Sequence, residues 1–431
     1  MRSSKLLWVA VFSLALPAIS FGAGFGIFEA GAKAVGMSGA FTATADDPST
    51  MFYNPAGLAF QKGSKMMMGA TLIMPFNSFE GGNPYPGEGV TEDGKKNLFY
   101  PPGIYYARQF GEKLTFGIGA FTAFGLGTEW ENPDQYTGRF ISTKADIQSL
   151  SIQPTVAYRL SDKLGVGVGL EVRNSKVALH KHQPFLNPYT LKVLDVAKVD
   201  LESDMAISLG FALGVLAKPF ENWSVGFSYR HSMKADYEGT AKFTFIPTGN
   251  AALDALLKTK LPLGDHAVKT SINFPKEASF GIATTAIEKW TVEVDVNWTS
   301  WSEFDTLVIE FTDLNSKQTI PQDYKDAVNC RLGLQRQMSE KLALRGGYIY
   351  DQTPQPRNGA GPLLPDSDRH GFNVGFGYTL GKWTLDVANL FLFFEDRSTY
   401  DVDGKHINKD GYDGTYKTFA NLLAFSLSYQ F

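Results

Sequence analysis

Charged side chains recur at two-residue spacing along several segments that are otherwise apolar or small. Glu171 and Arg173 are separated by one residue, and Glu293 and Asp295 repeat that spacing. In an extended strand such pairs point to the same face, because side chains alternate between the two faces. The charged residues that share a face with glycine, serine, threonine or asparagine in this way are Glu171, Arg173, Arg230, Glu293, Asp295, Arg331, Arg345 and Asp386. Such charges can pair across a closed interior, or contact something placed inside it.

Motifs of familiar enzyme chemistry are missing from the chain. There is no Gly-x-Ser-x-Gly nucleophile turn, no Gly-x-Gly-x-x-Gly loop and no His-Glu-x-x-His zinc motif. His180 and His182 resemble a metal pair, but no carboxylate lies near them in sequence, and we interpret them as surface residues. The single cysteine, Cys330, falls on the apolar face of its segment and is interpreted as inert. We therefore predict no enzymatic activity, no metal and no cofactor.

The amino terminus has the form of a secretory signal peptide. Arg2 and Lys5 precede an apolar run from 6 to 19, and small residues follow up to Gly22. We predict residues 1–22 to be a signal peptide cleaved after Gly22, with a retained membrane anchor as the alternative. No other apolar run approaches the ~20 residues of a membrane helix. The formal net charge of −4 leaves no basic surface for nucleic acid.

Beyond residue 63, apolar residues alternate with small or polar ones, which is typical of strands with two different faces. In the last segment Leu423, Phe425 and Leu427 point one way, while Ala424 and Ser426 point the other. Fourteen strands are predicted, at 64–76, 98–110, 113–124, 146–160, 163–178, 200–217, 222–246, 266–285, 288–312, 324–338, 341–354, 367–380, 382–398 and 413–431.

The connections between these segments alternate between very short turns and long polar loops, the layout of a transmembrane β-barrel. Large aromatics near strand ends, such as Trp290 and Trp383, fit the girdles at membrane interfaces. A soluble β-sandwich or a two-domain all-β protein is the alternative, but its water-facing sides would be rich in lysine and glutamate. We predict an all-β fold in which residues 64–431 form a 14-stranded antiparallel transmembrane β-barrel. Loop segments 249–261 and 188–198 are predicted to hold short helices.

Residues 23–63 precede the barrel and lack its alternation. They are small and apolar, and we predict that they form an N-terminal hatch, a plug in the lumen, which in a barrel of this size side chains alone do not fill. Within this hatch segment (residues 23–63), Asn54, Pro55 and Ala56 set a bend, because proline fixes φ and asparagine caps turns. A disordered periplasmic tail is the alternative, but the composition is too apolar for one.

The sequence resembles the long-chain fatty acid transport (FadL) family of outer-membrane proteins, which includes relatives that take up aromatic hydrocarbons. The resemblance begins with "AGFGIFEAGAKAVGMSGAFTATADD" and "NPAGLA" in the hatch segment. It continues in the same order with "WSEFDTLVIEF", "YKDAVNCRLGL", "YDQTPQP" and "LPDSDRHGFNVGFGY", and ends at Phe431, similar to the assembly signal of outer-membrane barrels.

The resemblance implies a bacterial outer-membrane transporter for passive uptake of long-chain fatty acids or similar hydrophobic molecules. The ligand would be caught at the outer loops, pass to a lumen pocket and leave after the hatch moves, in family members sideways through a gap in the wall. Pro101, Pro102 and the glycine-rich third strand mark a candidate position for such a gap, because they weaken strand pairing.

Ligand-binding residues follow from the resemblance together with the strand pattern. A fatty acid needs an apolar tunnel and a cation for its carboxylate. The candidates are Lys325, Arg173 and Arg345 for the carboxylate, and Phe25, Ile27 and Phe28 for the tail. Their alternatives are ion pairs within the barrel for the basic residues and ordinary packing for the apolar ones.

Three other functions remain open from the sequence. They are an uptake channel for aromatic hydrocarbons, a general porin, and a lipid-modifying outer-membrane enzyme. The expected partners are hydrophobic small molecules and outer-membrane lipids, with no nucleic acid, and the expected state is a monomer.

Overall fold

The computed structural model describes residues 24–431, so the predicted signal peptide lies outside the described residues. The strands are β1 (Ser64–Gly81), β2 (Thr91–Asp93), β3 (Pro102–Phe110), β4 (Leu114–Phe121), β5 (Leu126–Glu129), β6 (Lys144–Ser161), β7 (Leu164–Leu186), β8 (Val193–Ser203), β9 (Ala206–Phe220), β10 (Trp223–Arg230), β11 (Met233–Phe245), β12 (Gly264–Phe274), β13 (Glu277–Thr284), β14 (Trp290–Thr299), β15 (Thr306–Phe311), β16 (Ser316–Pro321), β17 (Ala327–Gln337), β18 (Leu342–Asp351), β19 (Arg369–Leu380), β20 (Trp383–Phe394), β21 (Arg397–Ser398) and β22 (Gly414–Gln430). The helices are α1 (Ala32–Val35), α2 (Thr50–Tyr53) and α3 (Ala251–Lys260), with 3₁₀ turns at Pro55–Phe60, Trp301–Glu303 and Arg357–Gly359.

Fourteen of these strands form a closed antiparallel barrel, which confirms the predicted fold class. They pair in the order β1, β3, β4, β6, β7, β9, β10, β13, β14, β17, β18, β19, β20 and β22, and β22 returns to pair with β1. The other eight strands extend these fourteen at the end that carries the long loops. In outer-membrane barrels that end is extracellular and the short turns are periplasmic.

Alternation along each strand separates a lipid-facing side from a lumen side. Ile104, Ile118, Ile152 and Leu170 are exposed on the outer surface, whereas the residues between them point inward and are mostly buried. Among residues 24–431, no helix is long and apolar enough to cross a membrane.

Two loop predictions have different outcomes. The helix predicted at 249–261 is confirmed as α3, whose first turn is capped by the Asn250 side chain. The helix predicted at 188–198 is wrong, because residues from Val193 onward form β8 between β7 and β11. A short apolar run fits the period of a helix or of a strand. Here the strand is favoured by the edges of β7 and β11, with which it pairs, and by three β-branched residues, Val193, Val196 and Val199.

Candidate functional site

Buried side chains of the barrel wall bond to the backbone of the hatch segment. Four successive backbone N–H groups, from Phe41 to Thr44, donate to two carboxylates of β14. Asp295 accepts the first two at 3.0 Å each, and Glu293 accepts the others at 2.6 and 2.9 Å. Both carboxylates are fully buried. This spacing of two inward acids on one strand therefore fixes a stretch of the hatch segment.

Asn54 ties the bend of the hatch segment to itself and to the wall. Its amide nitrogen donates to the carbonyls of Thr42, at 2.8 Å, and of Val215 on β9, at 3.1 Å. Its side-chain oxygen accepts from Ala56 N at 3.1 Å, and Pro55 opens the following 3₁₀ turn. All three motif residues are buried.

Arg173 belongs to a buried charge network on the inner wall. It donates to Glu171 at 2.6 Å, and Glu171 also pairs with Arg230 of β10. The Arg173 guanidinium lies over the ring of Phe124 at 4.6 Å and that of Phe274 at 4.8 Å. One of its nitrogens, Nη1, is buried without a hydrogen-bond partner among the described residues. Arg173 therefore retains one free donor in an aromatic environment.

The other two basic candidates lie away from Arg173. Arg345 pairs with Asp386 at 2.6 Å and lines a polar cavity of about 270 Å³ at the periplasmic end. Lys325, between β16 and β17, is exposed, and its backbone N–H donates to Pro354 at 3.0 Å. The structure thus separates the three basic residues that the sequence grouped.

An apolar cavity of about 550 Å³ lies beside the start of the hatch segment, within the range typical of small-molecule sites. Phe25 and Ile27 line it from the hatch segment, and Leu392 and Leu422 line it from β20 and β22. Phe28 instead packs under Arg331 at 4.2 Å and lines a separate polar cavity of about 70 Å³. Two of the three predicted apolar residues therefore share one cavity.

The barrel wall is interrupted beside this cavity. Pairing between β3 and β4 ends at Gly103 and Phe121. Backbone contact between the chain before β3 and the chain after β4 begins again where Lys95 N donates to Glu129 O of β5 at 2.7 Å. The interruption includes Pro101 and Pro102, in the part of the wall that the sequence indicated.

The hatch segment replaces some of the lost strand pairing. Between β4 and β5 the chain turns inward, where Ile27 N donates to Ala123 O at 2.8 Å and Gly125 N donates to Phe25 O at 2.9 Å. The start of the hatch segment is thus part of the wall at this point.

Four charged residues that line the apolar cavity were missed as site residues: Glu29, Asp146, Asp366 and Arg369. Arg369 donates two hydrogen bonds to Asp351, at 2.9 and 3.1 Å. Burial raises the pKa of Asp366, in the loop before β19, to about 6, although Arg369 opposes the shift. Alternation could place Arg369, at the start of β19, on the inward face, but the sequence has no pattern that brings the other three residues to the same cavity.

His180 and His182 are not plain surface residues, so that interpretation is corrected. His182 is almost fully buried, and its Nδ1 lies 2.6 Å from Asp195 Oδ2, while His180 lies 3.4 Å from Asp200. These carboxylates come from β8, which pairs with β7 and brings them close in space. Within residues 24–431, no group of three or more histidine, cysteine or acidic side chains is placed to hold a metal ion.

A family model described as outer membrane protein transport protein (OMPP1/FadL/TodX) matches residues 13–431. The long-chain fatty acid transport protein of Escherichia coli O6:H1 is 22% identical, over 91% of this chain and 92% of that protein. The 47 kDa outer membrane protein of Pasteurella multocida is 25% identical, over 90% of this chain and 89% of that protein.

Solved structures share the fold. A Pseudomonas aeruginosa FadL homologue superposes with a TM-score of 0.81 at 18% identity, covering 95% of this chain and all of the other. The Pseudomonas putida toluene transporter TodX gives a TM-score of 0.72 at 17% identity, covering 94% and 99% of the two chains.

Proposed function

Because the chain belongs to the outer membrane protein transport family (OMPP1/FadL/TodX), we propose that it carries hydrophobic small molecules across the bacterial outer membrane by passive uptake. The observation that carries the proposal is the apolar cavity, which reaches from the hatch segment to the interrupted wall. An apolar molecule gains about 25 cal/mol for each Å² of its surface that leaves water for such a lining. The family is one of transport proteins, and we propose no enzymatic role.

The proposed route starts at the extracellular loops. Tyr189 and Leu191, before β8, and Leu256 on α3 are exposed there and offer an apolar surface far from the membrane. From this surface the ligand passes to the cavity lined by Phe25 and Ile27. These two residues also form backbone hydrogen bonds with Ala123 and Gly125, where the wall is interrupted. A shift of the hatch segment therefore opens the cavity towards the interruption.

A long-chain fatty acid is the first substrate candidate, and Arg173 is the residue proposed to bind its carboxylate. The ring centroid of Phe25 lies 6.1 Å from that of Phe124 and 6.2 Å from that of Phe274. The Arg173 guanidinium lies over these same two rings. Movement of Phe25 would therefore connect the apolar cavity to the free Nη1. A carboxylate there would satisfy a buried donor that has no partner.

An uncharged aromatic hydrocarbon is the second candidate. The charged groups lining the apolar cavity favour this candidate. Three of the four are acidic, and the fourth, Arg369, is already bound by Asp351. A neutral ligand meets no repulsion from these carboxylates.

Uptake of radiolabelled oleate and toluene tests the proposal, in bacteria that lack their own channel for either compound. We expect Arg173→Ala to lower oleate uptake roughly tenfold or more, since a charged hydrogen bond contributes about 1.5–3 kcal/mol. Toluene uptake should stay unchanged, and Glu171 keeps Arg230 as its partner in this variant.

Lys325→Ala is the matched control, because Lys325 is exposed and does not line the apolar cavity. Oleate uptake that depends on Lys325 and not on Arg173 would move the carboxylate site to the outer surface. Equal uptake of both compounds, unaffected by either change, would favour the uncharged substrate. No uptake of either compound would contradict the transport proposal.

We also propose that the outer surface of the barrel contacts outer-membrane lipids and that the protein is a monomer. Its exposed apolar side chains, such as Ile118 and Leu170, contact outer-membrane lipids, and a monomer satisfies all strand edges because the barrel is closed.

A further inference from the structure

The interruption in the wall is a bounded slit. Its lower edge is the last paired position of β3 and β4, Gly103 with Phe121, next to the lipid-facing Ile104. Its upper edge is the ion pair between Lys95 and Glu129, 2.7 Å apart. Residues 96–102 on one side and 122–128 on the other make no backbone pairing with each other.

The slit exists at little cost in unsatisfied backbone groups. Pro101 and Pro102 have no N–H group to leave unpaired. Phe99 exchanges two hydrogen bonds with Ile73 of β1, at 2.8 and 3.0 Å, so the segment before β3 stays attached to the wall on its other side. A stable opening of this kind needs a side chain to fill it when no ligand is present.

Phe99 fills the slit. A methyl group built on Gly127, across the slit, would lie only 2.0–3.0 Å from three carbon atoms of the Phe99 ring. Phe99 and its neighbour Tyr100 both line the apolar cavity, but Tyr100 is 70% exposed and only the Phe99 ring lies against Gly127. The paired backbone at Phe99 holds the ring in this position.

We propose that Phe99 is a specificity-determining residue, whose ring sets the cross-section of the molecules that leave the cavity through the slit. The inference rests on the proposed transport function. Rotation of the ring away from Gly127 opens a passage between the cavity and the lipid. A slender alkyl chain needs less displacement of the ring than a fused aromatic system. Gly127 supports this role because any larger residue there would meet the ring.

The test compares two probes, oleate and a long-chain fatty acid with a terminal pyrene, in the uptake assay. For Phe99→Ala we expect the ratio of pyrene-probe uptake to oleate uptake to rise by roughly tenfold, the scale on which a pocket discriminates small apolar groups. Phe99→Leu should raise the ratio by less, and it remains informative if the alanine variant fails to assemble. Heat-modifiable migration of the barrel on gels checks assembly.

Tyr100→Ala is the control, because it removes a neighbouring ring of similar size that does not face Gly127. An unchanged ratio in both Phe99 variants would overturn the proposal, as would an equal rise in Tyr100→Ala. If the unaltered protein takes up neither probe, fatty acid transport fails, and if it does not take up toluene either, the transport function itself fails. These two failures are therefore distinguishable.

Discussion

At the scale of single residues, the inner wall depends on balanced buried charges. Glu171 has two guanidinium partners, Arg173 and Arg230, and all three side chains are almost completely buried. Buried charges of this kind are tolerated only while their partners remain. The same network holds the hatch segment, since Arg230 also donates to the backbone carbonyl of Phe52 at 3.0 Å.

Glu171→Gln should strongly destabilise the protein. It keeps the side-chain volume but leaves two adjacent buried cations without their shared carboxylate, which costs about 3–5 kcal/mol in comparable cases. The free energy of unfolding in urea, measured in detergent micelles, gives this quantity. Glu238→Gln is the control, because Glu238 pairs with Lys269 on the exposed outer surface and should have no measurable effect. Equal stability of the two variants would show that the network is not structurally important.

Residue contacts across the slit were beyond prediction from sequence. Phe99 and Gly127 are far apart in the chain and share no ladder, so no periodic pattern relates them. Arg173 was predictable as an inward residue because alternation fixes the face. Its free donor was not predictable, because that depends on where Phe124 and Phe274 place their rings.

At the scale of elements, the fourteen strands were predictable because lipid on one side and a lumen on the other force strict alternation. The wall strands predicted as single segments at 266–285 and 288–312 are each broken, at Pro275 and at Trp301–Glu303. Alternation extends over a whole segment, so it predicts the number of strands well. It does not predict the positions at which a strand is interrupted. The hatch segment has no such period, and its contacts follow from wall glycines that let its backbone approach.

Gly226→Ala should displace the hatch segment while the barrel still closes. A methyl group at Gly226 would lie 2.0 Å from the Thr42 carbonyl oxygen, which is backbone and has little room to move. We expect a normal amount of assembled barrel, together with faster protease cleavage within 24–63 and reduced oleate uptake. Gly346→Ala is the matched strand control, because its methyl group would meet only the Asn373 carbonyl oxygen, at 3.5 Å. Normal protection of the hatch segment in Gly226→Ala would contradict this account.

At the scale of the whole molecule, we propose that the barrel and the hatch segment have separable roles. The barrel closes through backbone ladders between β1 and β22 and between every other neighbouring pair, none of which uses residues 24–63. We propose that the hatch segment fills the lumen, because its backbone N–H groups are the partners of inward acids such as Glu293. Removal of the segment would expose these acids to water, which can solvate them in its place.

Deletion of residues 24–63, with residue 23 joined directly to the barrel, should therefore turn a plugged transporter into an open pore. Ion conductance in planar bilayers should rise from near zero in the full protein to a steady open-channel level in the deletion variant. The lumen acids Glu293 and Asp295 then line free water, so the pore should prefer cations. Replacing both with glutamine in the deletion variant is the control, and it should keep the conductance while weakening the cation preference. An equal conductance with and without the hatch segment would mean that the full protein is already an open porin, and it would contradict the proposed plug.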